Sequence, residues 1–104
     1  MNNLVFVYIW EYKVEEDSFS DFLFNYGSNG IWQKFFSQSE AYIKTELLKQ
    51  DENRNSFITI DYWKNKSEFH DFLKLHKKEY DKIDKECEIL IEEENKIGEF
   101  ELVD

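Results

Sequence analysis

Proline is absent from this chain, glycine occurs three times and cysteine once. With so few punctuating residues there is no linker, internal repeat or low-complexity stretch to mark a domain boundary. A single domain over residues 1–104 is therefore expected. The lone Cys87 cannot close an internal disulfide, which points to a reducing compartment. Positive charge is scarce too, with 13 Lys and Arg against 23 Asp and Glu and a net charge of −10. Such a chain has little with which to release counterions from a nucleic acid, and an anionic membrane surface repels it. No apolar run approaches the roughly 20 residues of a membrane span, and Met1-Asn2-Asn3 lacks the basic start of a signal peptide. A cytoplasmic protein with neither nucleic-acid nor membrane partners is expected.

What the chain has is aromatic bulk. Ten Phe, six Tyr and three Trp within a 41% hydrophobic sequence exceed what a disordered chain carries. The densest stretch, Leu4 to Tyr12, reads as a β-strand rich in β-branched and aromatic residues. Alternation sends Val5, Val7 and Ile9 to one side and Phe6, Tyr8 and Trp10 to the other. Both sides are apolar, so the strand needs cover on both faces.

Ser18, with Asp21 three residues on, reads as the N-cap of a helix carrying Phe19, Phe22, Leu23 and Tyr26 and ending at Gly27. Asn29-Gly30 marks a turn before a second short helix, residues 31–36, whose Trp32, Phe35 and Phe36 suit a cover for the sheet or a ligand wall. Residues 41–49 alternate as a strand, with Ile43, Thr45 and Leu47 on one side and Tyr42, Lys44, Glu46 and Leu48 on the other. A polar loop follows, then a third strand over residues 57–63. Ser67 reads as the cap of a long helix whose stripe, from Phe69 and Phe72 through His76, Tyr80 and Cys87 to Ile91, holds phase for about seven turns. A break near Lys77–Glu79 is permitted, although no Gly or Pro demands one. Asp81 and Lys85 suit an ion pair. Gly98 falls inside a last strand, residues 96–103, at a bulge or a close backbone approach.

The order β-α-β-β-α-β is the ferredoxin-like pattern of an α+β domain, with both helical segments on one face of an antiparallel sheet. The other face is left with bulky apolar residues, more than a monomer usually shows to water. A second copy packing sheet against sheet is the expected solution, giving a homodimer.

Val7-Tyr8-Ile9-Trp10, Ala41 to Leu48, Thr59-Ile60-Asp61-Tyr62-Trp63 and Ile97-Gly98 together resemble the antibiotic-biosynthesis-monooxygenase-like group of dimeric α/β-barrel proteins, over nearly the whole chain. The resemblance implies a pocket between sheet and helices. In oxygenase members such a pocket holds a flat phenolic or polycyclic substrate that reacts with O₂ without metal or flavin. That chemistry asks for a base, aromatic walls and a water-poor cavity. The same resemblance extends to haem-degrading members, whose set is an early-strand Asn with a Trp and a His on the helix after the third strand. Matching Trp63 and Phe69 without gaps puts Phe72 and Lys82 at the Trp and His positions, both departures. No cofactor is therefore expected, with haem kept as an alternative.

Among individual residues, Asp61 stands in an otherwise apolar strand, where an unpaired carboxylate is costly. It is a candidate base, or else a structural acceptor, with Trp10 and Trp63 as ligand walls or core. His76, Tyr80 and Asp84 recur every four residues on one helix face, a candidate relay with His76 as the second catalytic candidate; the plainer reading makes them stripe and surface. Trp32, Phe72 and Tyr80 complete the expected ligand-binding set. Tyr42 and Glu46 share a strand face in this reading and suit a pocket or a dimer edge. No metal site is expected: His70 and His76 lie about 240° apart around a helix, and no Cys/His cluster exists. Cys87 reads as a small buried hydrophobe. A non-catalytic ligand-binding or interaction module is the competing class.

Overall fold

The computed structural model describes residues 5–104; Leu4, where the first strand is expected to start, and the Met1-Asn2-Asn3 segment lie outside the described residues. Strand β1 (Phe6–Lys13) leads through a single 3-10 turn (Glu16–Ser18) into helices α1 (Phe19–Tyr26) and α2 (Ile31–Phe36). Strands β2 (Tyr42–Lys49) and β3 (Ser56–Trp63) form a hairpin, helices α3 (Lys66–Leu75) and α4 (Lys77–Glu88) follow, and β4 (Glu93–Glu101) closes the sheet. The strand order is β2-β3-β1-β4, all neighbours antiparallel, which is the ferredoxin-like arrangement. The four-stranded sheet is open. Among the described residues, no helix is long and apolar enough to cross a membrane.

Register decides which side chains share the inner face. Tyr8 stands opposite Asp61 and Trp10 opposite Thr59 across β1 and β3, while Thr45 of β2 stands opposite Asp61 on its other flank. Phe6, Tyr12, Phe57 and Trp63 of this inner face are buried with Phe22, Trp32, Phe36 and Phe69 from the helices in one aromatic core. Most rings meet edge to face or tilted, as between Trp63 and Phe36 at 5.4 Å and Trp63 and Phe69 at 5.0 Å, while Phe22 and Tyr26 stack at 4.4 Å. Those geometries suit the ring quadrupoles.

Two register shifts interrupt the alternation. In β2, Tyr42 faces Trp63 and Lys44 faces Tyr62, leaving Ile43 as an extra residue. Tyr42 therefore joins Thr45 on the inner side, and the expected Tyr42–Glu46 face does not exist. Glu46 lies on the outer side, where it accepts a hydrogen bond from the Tyr62 hydroxyl at 2.7 Å. In β4, Ile9 faces Gly98 and Trp10 faces Lys96, so Ile97 is extra. Gly98 thus flanks a bulge as expected, and a Cβ there would come within 2.9 Å of the Phe100 ring.

Helix ends differ from the sequence reading in chemistry more than in place. Asn65, not Ser67, caps α3: its Oδ1 accepts from the Glu68 amide at 2.9 Å and from the Ser67 hydroxyl at 3.0 Å. Ser18 already has helical backbone geometry and its side chain makes no capping bond. Gly27 ends α1, and Asn29 takes a positive φ of 63° ahead of Gly30. The long stripe is two helices, not one. His76, at φ −110° and ψ 29°, interrupts it between α3 and α4, and α4 stops at Glu88. Leu90 and Ile91 therefore lie beyond the helix. Asp81 pairs with Lys77 at 2.9 Å rather than with Lys85, the other i,i+4 neighbour on its face.

Candidate functional site

The inner face of the sheet and the helices above it do not close completely. They enclose a cavity of about 140 Å³ with Asp61, Thr45 and Thr59 among its lining residues. Its walls come from three places. Tyr8, Trp10 and Tyr12 alternate along β1, Tyr26 and Trp32 come from α1 and α2, and Tyr80 reaches in from α4. Eight of the thirteen lining residues are aromatic, so the cavity is shaped for a flat apolar body. Asp84 and Glu94, both exposed, line it from α4 and β4.

Asp61 is the chemical centre. It is only 7% exposed, and its Oδ1 accepts a hydrogen bond from the Thr45 hydroxyl at 2.5 Å. Thr45 Oγ1 also lies 2.6 Å from the Tyr42 hydroxyl. A threonine hydroxyl has one hydrogen, so with that hydrogen on Asp61 the Tyr42 phenol must donate to Thr45. The result is a directed chain, Tyr42 to Thr45 to Asp61. Among the described residues, Thr45 is the only hydrogen-bond donor to the Asp61 side chain. Burial pushes the Asp61 carboxyl from its ordinary 3.8 up to about 6, against the opposing hydrogen bond from Thr45. A base poised there takes up and gives back a proton near neutrality.

The surrounding groups follow the same physics. Burial raises the Tyr8, Tyr12 and Tyr80 phenols, and the Asp84 charge adds to the effect on Tyr80. These hydroxyls stay protonated and are available as donors. Asp84 and Glu94 are both raised, first by burial and then by neighbouring carboxylates, with Glu88 acting on each. Burial likewise raises the Cys87 thiol, which keeps it an inert buried hydrophobe. Among the described residues the buried Trp32 indole nitrogen has no partner at hydrogen-bond geometry.

The residues expected to form the site thus divide. Asp61, Trp10, Trp32, Tyr80 and Asp84 line the cavity. His76, Trp63 and Phe72 do not. His76 sits at the break between α3 and α4, its ring 4.5 Å from Phe72 and 6.1 Å from Phe35, with Nδ1 4.0 Å from Glu79 on the surface. The expected His76–Tyr80–Asp84 row fails because the interruption at His76 takes that residue out of the regular helical phase of the other two. Trp63 and Phe72 lie 5.6 Å apart within the packed aromatic core. Tyr8, Tyr12 and Thr59 join the site without having been singled out from the sequence, although strand parity with Trp10 and Asp61 already places them on this face. Among the described residues no group of His, Cys, Asp and Glu could hold a metal ion. The residues do not fit haem either: neither histidine lines the cavity, whose volume is close to the roughly 150 Å³ that holds one benzene.

Fold and cavity together define a ferredoxin-like α+β domain with an aromatic chamber between its sheet and its helices. No model of a known protein family matches the sequence, and no curated protein does. Solved structures do share its fold, including that of SnoaB, a cofactor-independent oxygenase from Streptomyces nogalater. In a single-substitution variant of that protein the TM-score is 0.72 at 16% identity, over 96% of this chain and 94% of the other. A protein from Bordetella bronchiseptica, provisionally assigned as an antibiotic biosynthesis monooxygenase, superposes with a TM-score of 0.73 at 14% identity, over 96% and 98% of the two chains. A dimeric ferredoxin-like protein from an uncultured marine organism gives 0.69 at 10% identity, over 97% and 90%. The fold implied by the sequence resemblance is the fold these proteins have.

Proposed function

We propose that this chain is a cofactor-independent, monooxygenase-like enzyme acting on a small aromatic molecule held in the cavity. The observation that carries the reading is Asp61: a carboxylate with a pKa of about 6, inside an aromatic chamber, bonded to Thr45. Its role is to take a proton from the substrate, leaving an electron-rich centre that reacts with O₂. Oxidation of a methylene to a carbonyl consumes one O₂ and releases one water, so no outside reductant is required. The aromatic walls hold the ring plane and keep water from the reactive centre. SnoaB, described as a cofactor-independent oxygenase, lends the fold as support.

Oxygen uptake with single-ring dihydroxybenzenes, alongside anthrone, tests this. Uptake is expected with the single-ring compounds, and Asp61→Asn should lower it by about 100-fold or more, the usual contribution of a general base. His76→Ala should leave it within about twofold, because His76 does not line the cavity. Ligand binding without uptake for any compound would instead support the non-catalytic binding module.

The reading includes a homodimer through the outer face of the sheet. Val7, Ile9, Ile58 and Ile60 lie on that face, and around them Leu48, Phe100 and Leu102 are each 46% exposed. A patch of this kind is what a second copy would cover. Sedimentation equilibrium at micromolar concentration should give twice the chain mass of 12.8 kDa. Ile60→Lys should weaken the dimer by at least about 30-fold, the loss of an interface anchor. A single-chain mass for the unmodified protein would remove the dimer from the proposal.

A further inference from the structure

Among the described residues, the charged side chains that line the cavity all have one sign, with Lys96 standing just outside over the Tyr8 ring. Asp61, Asp84 and Glu94 line it, and no lysine, arginine or histidine does. Asp84 and Glu94 lie close enough for each to feel neighbouring carboxylates, whereas the charged side chain nearest in character to a counter-ion, Lys96, is bonded to Glu99 at 2.5 Å. A second, independent feature is the state of Asp61. It is almost wholly buried, it lines the cavity, and Thr45 bonds only one of its two oxygens. The other oxygen has no donor among the described residues and is not closed off, so whatever occupies the space beside it can meet it with a donor or a positive charge. The third feature is the walls. Tyr8 and Trp10 meet at 87° and Trp32 and Tyr80 at 62°, so the chamber offers ring faces in several directions. Ring faces attract cations, and the Tyr8 ring already carries the Lys96 ammonium 5.4 Å from its centroid.

We infer that the ligand of this cavity is an organic monocation, an ammonium or methylated ammonium group on a single ring or an equally small apolar body. The ammonium pairs with Asp61 while the aromatic faces surround the rest. An anionic ligand would meet three carboxylates and the negative faces of the rings. A neutral ring would fill the walls and leave Asp61 without its counter-ion. The inference rests on the cavity being the ligand site, and it also suits the proposed chemistry: removing a proton from a cationic substrate leaves a neutral species, which three carboxylates do not oppose.

Benzylammonium, benzyl alcohol and benzoate have one shape and three charges, and their binding to the unmodified protein can be compared by titration calorimetry at about pH 8, where Asp61 is ionised and the amine still protonated. Benzylammonium is expected to bind at least about tenfold more tightly than benzyl alcohol, with benzoate weaker than both. Asp61→Asn should abolish the preference for the cation and leave the alcohol within about threefold. Tyr80→Leu, which keeps an apolar wall but removes a ring face, should reduce the preference by about threefold to tenfold. Equal binding of cation and alcohol, or a preference for benzoate, would overturn the inference and leave the cavity as the ligand site. No binding of any of the three would overturn both.

Discussion

Asp61→Asn is expected to stabilise the folded protein at pH 7.5 by about 3 kcal/mol and to change it little near pH 4. The sign follows from the buried carboxyl. In the unfolded chain it ionises near its ordinary 3.8, whereas in the folded protein it holds its proton up to about 6. Between those values the folded state binds more protons than the unfolded state. The contribution of Asp61 is therefore fully favourable below about 3.8 and is lost as pH rises through about 6. The gap, at about 1.4 kcal/mol for each unit of pH, gives the size of the effect. Asparagine keeps an acceptor for Thr45 and carries no charge to bury, so its curve lacks that fall. Urea unfolding of both proteins across this range checks it. Parallel curves would mean that Asp61 does not resist ionisation in the folded state, and its role as a poised base would fail with it. A residue that costs stability at working pH is the pattern expected where function, rather than folding, retains it.

Trp63→Ala is expected to cost about 4 kcal/mol, in the range for deleting a fully buried large aromatic side chain. Trp63 has no exposed surface and packs against Phe36, Tyr42, Phe69 and Phe72. Trp63→Phe should behave differently. The indole nitrogen of Trp63 is buried with no partner among the described residues, so phenylalanine gives up packing volume while removing an unsatisfied donor. Those terms oppose one another, and the net loss should stay below about 1.5 kcal/mol. Because Trp63 does not line the cavity, ligand affinity in the phenylalanine variant should match the unmodified protein. A loss in Trp63→Phe as large as in Trp63→Ala would show that the indole nitrogen has a partner after all.

Much of this architecture is legible in the residues alone. The strands around Trp10 and Asp61 announce themselves because both faces alternate bulky residues, and an aspartate in such a strand stands out. The helix-strand order then leaves one topology to favour. Single-residue insertions are what the pattern hides. Ile43 and Ile97 look like ordinary strand members, yet each displaces the alternation, and the first moves Tyr42 from the outer face to the Thr45–Asp61 chain. The interruption at His76 is equally silent, since neither glycine nor proline marks it. Asn65 competes with Ser67 for the cap of α3, and both are good capping residues. The cavity itself is a remainder, the volume left when eight aromatic side chains fail to fill their space, and no pattern of residue types encodes a remainder.

The hydroxyls of Tyr42 and Thr45 reach Asp61 along the inner face of the sheet, Thr45 itself lining the chamber and Tyr42 standing outside that lining. Tyr42 is half-buried and belongs to the edge strand β2, so this row runs from the rim of the protein to the floor of its chamber. With Tyr42 donating to Thr45 and Thr45 to Asp61, the row as it stands carries a proton inward, from the Tyr42 end to the carboxylate. The carboxylate can thus regain a proton from the rim while a guest stoppers the chamber.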